Sequence, residues 1–340
     1  MGLHQSCTCR RRRWPALPLF AALALVTATS LAGAARGEVI DLKDHLYAVA
    51  TRGSHIWVGG VFGSVVHSAD DGASWTPQPS ASTEHIFGIA FADDKVGWAV
   101  GRNGTISATV DGGATWKRQT TPKERHLFHV VALDTRRAAA IGDWGTILIT
   151  ADGGETWQDR ALTRDVILNG QAWVDPDHGW IVGELGAVFA TEDGGATWKE
   201  LASGVEKTLY DVAFRSRSEG FAVGLDGLIL ATSDGGATWT PVHGEAELGG
   251  LEQVGSHAGM ENPHLYDVVL TPGRVYAAGD NSRIFTSEDH GRTWIGLTVP
   301  QGADLRWLRA AAASGERAYF AGADGLVLVA EGAQVKMIGE

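Results

Sequence analysis

The residues with the clearest potential for chemistry are two pairs of aspartates, Asp211 with Asp267 and Asp175 with Asp177. Two carboxylates that face each other across a cleft are the requirement for glycoside hydrolysis. Asp211 and Asp267 fall at equivalent positions of two repeats, so they are predicted to be neighbours near a central channel. The chain has 40 acidic against 28 basic residues, and we interpret both pairs as solvated acids at strand ends.

Histidines and glycine-rich segments offer weaker signals for catalysis or metal binding. His126 and His129 are three residues apart on a predicted strand, so their side chains are predicted to point to opposite faces. His257 and His264 fall in one loop, where a chance pair is more common than a site. The sequence contains no serine nucleophile elbow, phosphate-binding loop or dinucleotide fingerprint. We therefore expect no cofactor and no metal.

A repeat of fixed period organises the chain, and its consensus is S/T-x-D-x-G-x-S/T-W. The six copies end at Trp75, Trp116, Trp157, Trp198, Trp239 and Trp294. The first four intervals between these tryptophans are equal, and the fifth is longer. Four equal intervals indicate one structural unit that recurs along the chain.

Each repeat carries the signals of four short strands, which is typical of a β-propeller blade. Residues 305–313, 317–331 and 334–338 repeat the strand order without the aspartate turn. The sequence therefore predicts an all-β, seven-bladed propeller of four-stranded antiparallel blades over residues 38–340, with six or eight blades as alternatives. We expect N- and C-terminal strands to close the ring, with residues 38–42 completing the last blade, because an open ring would expose two sheet edges.

The repeated aspartate is predicted to shape a turn. An aspartate side chain accepts hydrogen bonds from nearby backbone amides, and the glycine supplies positive φ. A calcium loop is the alternative, but calcium takes six or more oxygen ligands and each turn offers one or two carboxylates. The tryptophan is expected to pack between neighbouring blades. These structural aspartates are Asp70, Asp111, Asp152, Asp193, Asp234 and Asp289.

The segment at residues 1–34 has the pattern of a secretory signal peptide. Four arginines at 10–13 precede an apolar run at 14–31, and the small residues Ala-Gly-Ala follow at 32–34. Cleavage there would remove both cysteines of the chain. An uncleaved membrane anchor is the alternative, although two prolines interrupt the apolar run. We expect a periplasmic or secreted protein.

The block from Gly179 to Trp198 reads GWxVGxxGxxxxTxDGGxTW, which resembles the Asp-box (BNR) propellers of the photosystem II stability/assembly-factor family. The resemblance extends over residues 38–340. It implies a non-enzymatic factor that binds a reaction-centre precursor in the thylakoid lumen, with an arginine-rich patch implicated in binding. In bacteria without a photosystem, it implies an envelope scaffold.

One face of a propeller carries the segments that join blades and the turns between second and third strands. On this face lies an insertion at residues 243–263, which is either a functional loop or a tolerated insertion. Arginine and aromatic residues are typical of interface hot spots. The alternative is that Trp307 plugs the channel and each arginine pairs with a local acid. The candidate partner-binding residues are Arg102, Trp144, Arg283, Arg306, Trp307 and Arg309.

These features together predict an exported, non-enzymatic propeller that binds protein and serves in the assembly or stability of a membrane or envelope complex. The net charge of −12 argues against a nucleic-acid partner, and we expect a monomer. Two alternatives remain open. One is a carbohydrate-active enzyme, a glycosidase or lyase, and the other is a glycan-binding module, both using channel carboxylates.

Overall fold

A computed structural model describes residues 42–244 and 262–338. Over these ranges the chain forms seven separate four-stranded sheets, and each sheet is an antiparallel meander in chain order. This confirms the predicted seven-bladed propeller of four-stranded antiparallel blades. The predicted signal peptide, residues 38–41 and most of the predicted insertion lie outside the described residues.

The strands run in chain order, four to a blade, from the channel outward. In the first four blades they are β1 (Leu46–Arg52), β2 (His55–Gly60), β3 (Ser64–Ser68), β4 (Thr76–Pro79), β5 (Ile86–Phe91), β6 (Gly97–Gly101), β7 (Thr105–Thr109), β8 (Lys117–Arg118), β9 (Leu127–Ala132), β10 (Ala138–Gly142), β11 (Ile147–Thr150), β12 (Gln158–Asp159), β13 (Leu168–Trp173), β14 (Gly179–Gly183), β15 (Ala187–Thr191) and β16 (Lys199–Ala202). In the last three they are β17 (Leu209–Phe214), β18 (Gly220–Gly224), β19 (Ile229–Thr232), β20 (Thr240–His243), β21 (Leu265–Leu270), β22 (Val275–Gly279), β23 (Ile284–Ser287), β24 (Ile295–Gly296), β25 (Leu308–Ser314), β26 (Arg317–Gly322), β27 (Val327–Glu331) and β28 (Gln334–Met337). None of the helical segments within residues 42–244 and 262–338 has the length and apolar character of a membrane span.

The apolar core is divided into clusters that lie between adjacent blades. Between the first and second blades, Trp57, Ile86 and Trp116 are buried together. The indole N–H of Trp57 also donates to the carbonyl of Gly112 in the second blade, at 2.9 Å. Because each sheet buries both of its faces against neighbours, a blade is stable only within the ring.

The ring closes where the seventh blade meets the first. Thr51 on β1 donates to the carbonyl of Ala313 on β25 at 2.8 Å, and the Tyr319 hydroxyl donates to Asp71 at 3.2 Å. All four strands of the last blade, β25 to β28, come from the C-terminal end of the chain. The predicted contribution of residues 38–41 lies outside the described residues, and Leu42 packs against the core between these two blades.

The six Asp-box turns share one hydrogen-bond pattern. In the fourth blade, Asp193 accepts from the Thr197 amide at 2.9 Å and hydroxyl at 2.6 Å, and from the Thr191 hydroxyl at 2.8 Å. These bonds, chiefly that from the Thr197 hydroxyl, lower the pKa of Asp193 to about 2. Both carboxylate oxygens are thus used within the turn. The same bonds form at Asp70, Asp111, Asp152, Asp234 and Asp289.

The candidate functional site: linker face and central channel

The two faces of the ring carry different kinds of turn. The face that carries the Asp boxes and the turns between first and second strands is here called the Asp-box face. The opposite face, here called the linker face, carries the segments that join blades and the turns between second and third strands. Backbone hydrogen bonds join these two kinds of segment. For example, the Arg102 amide donates to the His85 carbonyl at 3.0 Å.

A β-bulge at the start of every innermost strand points one extra residue toward the channel. In the first blade the pairing of β1 with β2 shifts between Leu46 and Ala48, which leaves Tyr47 as the extra residue. A bulge re-aims a side chain while it locally interrupts the ladder. The same shift occurs in all seven blades. The bulged residues are Tyr47, Phe87, Phe128, Asn169, Tyr210, Tyr266 and Arg309.

Five of these residues are aromatic, and together with Trp307 they line a channel cavity of about 600 Å³. We define the aromatic collar as Tyr47, Phe87, Phe128, Tyr210, Tyr266 and Trp307. Tyr47 stacks on Trp307 with ring centroids 5.6 Å apart and planes 3° from parallel. Tyr210 meets Tyr266 edge to face at 5.1 Å. The cavity volume falls in the usual range for small-ligand pockets.

Asp211 and Asp267 lie at the position after the bulge, on the channel wall. The two carboxyls are close enough for each to affect the ionisation of the other. Asp211 also accepts from the Val268 amide of the next blade at 3.2 Å, and Asp267 accepts from the Ala311 amide at 2.8 Å. The pair, here called the acidic pair, therefore bridges three consecutive blades.

The acidic pair is in a desolvated environment. Burial, followed by repulsion from Asp267, raises the pKa of Asp211 well above its ordinary value. Burial also raises the pKa of Asp267 to about 7. Two carboxyls held this close cannot both ionise easily, so the pair retains a proton near neutral pH. The interpretation as a solvated strand-end acid was wrong for Asp211, which is only 8% exposed, whereas Asp267 is partly exposed.

His129 lies at the same wall position in the third blade and also lines the cavity. Its Nδ1 is buried without a hydrogen-bond partner, and burial lowers the pKa of His129 to about 4. The imidazole is therefore neutral at physiological pH. His126 precedes β9 and is not on the same strand as His129. Its Nδ1 accepts the amide of Asn103 at 3.0 Å, at the rim of the linker face.

Aligning the blades by a fixed repeat period assigned the wrong residue of the first blade to the channel wall. A shift by one period aligns Tyr47 with Gly88, but the strand registers make Ala48 equivalent to Gly88 and Tyr47 equivalent to Phe87. The turn between β1 and β2 is shorter than its counterpart in the second blade, and this accounts for the offset. The aromatic collar was missed for this reason, since the bulge that forms it has no simple sequence signature.

Asp175 and Asp177 lie away from the channel, in the turn between β13 and β14. Asp175 accepts from His178 and from Arg217 at 2.9 Å. These bonds, with that from His178 the largest cause, hold the pKa of Asp175 well below its usual value. Asp175 therefore stabilises the turn that contains both aspartates, on the Asp-box face.

Large apolar residues occupy strained, exposed positions on the linker face. Phe62, Trp144 and Leu185 are the central residues of the turns between second and third strands in blades one, three and four. Their φ angles are 53°, 56° and 54°, and their exposed fractions are 74%, 56% and 65%. Leu305, in the segment that leads into the last blade, has φ 62° and is 82% exposed. We call these four residues the apolar tips.

The other four turns place asparagine or aspartate at the same position, and these residues are common at positive φ. They are Asn103, Asp226, Asn281 and Asp324. Asp226 pairs with the buried ammonium of Lys207 at 2.9 Å, and its amide donates to His264 Nδ1 at 3.1 Å. The Asp226 side chain is thus tied into the protein, whereas the side chains of the apolar tips are largely exposed.

The structure distributes the six candidate partner-binding residues between two places. Trp307 and Arg309 line the channel, where the Arg309 guanidinium lies 4.4 Å from the Tyr266 ring centroid. Arg102, Trp144 and Arg283 are exposed in turns of the linker face, and Arg306 lies in the segment before β25. Trp144 is covered on one side by Arg125, 5.1 Å from its ring centroid. Sequence reasoning missed Phe62, Leu185 and Leu305, although each is an apolar residue where a turn former is expected.

Three of these arginines make local contacts. Arg102 lies 3.9 Å from Glu84, and Arg306 donates to the carbonyls of Gly302 and Asp324. Arg309 stacks on the two tyrosines of the collar. An arginine that is already engaged in this way contributes less to a new interface than a free one.

Fold and site together define an Asp-box propeller with an aromatic-lined channel and an apolar linker face. The chain belongs to the family of the photosynthesis system II assembly factor YCF48, whose profile matches residues 80–171 and 158–250. This confirms the resemblance seen in the sequence. No curated protein matches the chain significantly.

Solved structures with the same fold include members of this family. A YCF48 bound to a D1 peptide is 19% identical, with a TM-score of 0.67 over 85% of this chain and 94% of that one. YCF48 from Cyanidioschyzon merolae is also 19% identical, with a TM-score of 0.65 over 85% and 96%. A GH74 xyloglucanase from Xanthomonas campestris is 13% identical, with a TM-score of 0.68 over 87% of this chain and 53% of that one. At these identities the likeness concerns the fold.

Proposed function

We propose that this protein is an exported, non-enzymatic propeller whose linker face binds a segment of a partner protein, and that it serves the assembly or stability of a membrane or envelope complex. The proposed location is the periplasm or the exterior, or the thylakoid lumen in a photosynthetic organism. The acidic composition argues against nucleic acid as the partner. We infer that the chain acts as a monomer.

The observation that carries this proposal is the combination of strain and exposure at the apolar tips. A left-handed conformation costs a residue other than glycine roughly 1–2 kcal/mol, and exposed apolar area adds a further unfavourable contribution. Asn103 occupies the equivalent turn position in the second blade with neither cost. Apolar side chains held in this way are explained by a partner that covers them.

The relatives support a polypeptide partner. The YCF48 structure with a D1 peptide is a complex of a family member with a protein segment. On this chain, Trp144 with Arg125 has the aromatic and arginine composition of interface hot spots. Ile167, which is 39% exposed, extends the apolar surface from the tips toward the channel mouth, where it lines the cavity.

The channel acids form one interacting pair on adjacent blades, which supports a non-catalytic role. Carboxyls that act together in glycoside hydrolysis are about 5–9.5 Å apart, which leaves room for the sugar or a water. Asp211 and Asp267 instead lie on the innermost strands of adjacent blades, and each accepts a backbone amide of the next blade. The GH74 likeness is one of fold, and we infer that the chain does not hydrolyse glycans. The Asp211→Asn protein and the wild type should then both leave polysaccharide unchanged in a reducing-end assay.

The proposal is tested by co-purification from detergent-solubilised membranes of the source organism. The variant carries Phe62→Asn, Trp144→Asn and Leu185→Asn, which introduce the residue that the second blade already has there. We expect it to fold and to lose a stoichiometric membrane partner that the wild type retains. The matched control is Val110→Asn, which replaces an apolar residue that is 74% exposed on the Asp-box face. If the control loses the same partner, or if the triple variant keeps it, the linker face is not the docking surface.

A further inference from the structure

We propose that the channel floor binds one positively charged side chain, lysine or arginine, which a docked protein segment inserts through the aromatic collar onto Asp211 and Asp267. The linker face would hold the segment, and the channel would select for the charge. This inference rests on the proposed function only for the source of the cation. Its binding chemistry can be tested with a free side chain.

The carboxyl oxygens of the acidic pair have no cationic partner among the described residues. Within residues 42–244 and 262–338, each carboxyl accepts a backbone amide, and neither forms an ion pair with lysine or arginine. Buried carboxyls are ordinarily paired or bound to a metal, and the described residues include no metal-binding cluster. A cation that entered the cavity would supply the missing partner.

An imidazole nitrogen of His129, on the channel wall, also lacks a partner. His129 Nδ1 is buried and has no hydrogen-bond partner. Between His129 and the acidic pair the fourth blade has Gly170, and a Cβ there would come 2.4 Å from the Asp211 carboxylate. The absent side chain lets the backbone of the fourth blade pack directly against Asp211, so the carboxyl is enclosed on that side and lies on the cavity wall. An ammonium has three donors and a guanidinium has five, so either can use a neutral imidazole nitrogen as well as carboxylate oxygens.

The aromatic collar already holds one cation, the guanidinium of Arg309. The Arg309 guanidinium lies 4.4 Å from the Tyr266 centroid and 5.7 Å from the Tyr210 centroid. Aromatic rings attract cations through their quadrupole, most strongly where water is excluded. Arg309 therefore lies against the tyrosines of the collar, and within the described residues it forms no ion pair with the acids. A ligand cation must compete with it.

Cation binding and proton release are coupled at this site. The titratable groups that face the pair are His129 from β9, Tyr210 and Tyr266 beside the acids, and Arg309 from β25. The pKa values of both tyrosines are raised, chiefly by burial, and that of Tyr266 reaches about 12. These two hydroxyls therefore stay neutral, and the acidic pair is the group that titrates between pH 5.5 and 8. An incoming cation displaces a proton from the pair, which passes to solvent.

The experiment uses two small probes that differ in charge. N-acetyl-lysine methylamide carries the cation, and N-acetyl-norleucine methylamide is its neutral counterpart. Binding is followed by NMR of aspartate 13Cγ labels in the full chain, at pH 5.5 and pH 8. For a pair that titrates with a pKa of about 7, the affinity for the lysine probe is expected to rise by roughly ten- to thirty-fold between these pH values. The norleucine probe should show no such change.

Four variants separate this inference from general charge effects. Asp267→Asn keeps an acceptor for the Ala311 amide and should lose the pH-dependent binding, and Asp211→Asn provides a second test if that protein folds poorly. Arg309→Gln should bind the lysine probe several-fold more tightly, because a competing cation has been removed. Glu192→Gln removes an exposed charge on the Asp-box face and should behave as wild type.

The outcomes distinguish this inference from the proposed function. Equal affinity for the two probes, affinity independent of pH, or lysine binding retained in both Asn variants would overturn the cation site. If the triple Asn variant at the tips still lost its partner, the docking proposal would stand without the channel site. In the converse outcome, the channel binds the lysine probe as expected while the triple Asn variant keeps its partner. That result would support the cation site and rule out docking at the linker face.

Discussion

The Asp-box face and the linker face are built from the same repeat, but their turns are satisfied differently. Each Asp box closes on itself, since both oxygens of a carboxylate such as Asp193 accept bonds from the same turn. On the linker face, the Phe62, Trp144 and Leu185 turns hold apolar side chains at positive φ and leave them exposed. The Asp-box turns are thus satisfied within the fold. The apolar tips have no comparable internal role, and we propose that a partner covers them.

The largest expected effect comes from breaking the ring itself. Trp57 is fully buried between the first two blades, stacks on Phe91 at 3.7 Å and donates to Gly112 of the Asp-box face. Trp57→Ala should cost about 3–5 kcal/mol of stability. Denaturant unfolding measures this, and a loss below about 1 kcal/mol would show that the blade interface is less important than the packing suggests.

The channel acids and the Asp-box acids should respond to pH in opposite ways. The folded-state pKa of Asp267 lies above its unfolded value, so the folded protein binds more protons, and stability should fall as pH rises from about 4 to about 7. Asp267→Asn should reduce this pH-dependent loss of stability by up to about 4 kcal/mol. The folded-state pKa of Asp193 lies below its unfolded value, so its contribution is present above pH 4 and lost on acidification toward pH 2.

Thermal unfolding across pH 3–9 of wild type and Asp267→Asn checks both slopes. The expected wild-type profile has a maximum near pH 4–5, and the variant should be the more stable protein at pH 8. A wild-type profile that rises steadily to pH 8 would show that the acidic pair is solvated after all.

A smaller effect, of opposite sign, is expected at the apolar tips. Trp144→Asn and Leu185→Asn replace strained residues by one that adopts positive φ readily, so each should stabilise the isolated protein by about 0.5–1 kcal/mol. Partner binding should weaken at the same time. Chemical denaturation and a binding assay on the same samples measure the two effects, and destabilisation by both substitutions would contradict the strain argument.

The smallest effect is expected for Val110→Asn on the Asp-box face. Val110 is exposed and lies beside the turn aspartate Asp111, without a positive φ to relieve. Stability should remain within about 0.5 kcal/mol of wild type, and partner binding should be unchanged. A loss of binding comparable to that of the tip variants would remove the contrast between the two faces.

The sequence predicted the blades and which turns share a face, because strands, hairpins and Asp boxes are local and recur at a fixed spacing. It did not predict the aromatic collar, because Tyr47 and Phe87 reach the channel through a bulge that a fixed period cannot locate. The burial of Asp211 depends on Gly170 in the neighbouring blade, a contact that no local pattern reveals. Trp144 was recognised as out of place in its turn, whereas Phe62 and Leu185 became significant only when φ and exposure were known.

The most direct test of the linker face is site-specific photo-cross-linking in native membranes. A photoreactive phenylalanine analogue is introduced singly at Phe62, Trp144 and Leu185, and at Val110 as the control. We predict that the three tip positions form cross-links to one membrane-complex subunit and that position 110 forms none. Cross-links from Val110 to that subunit, with none from the tips, would contradict the account.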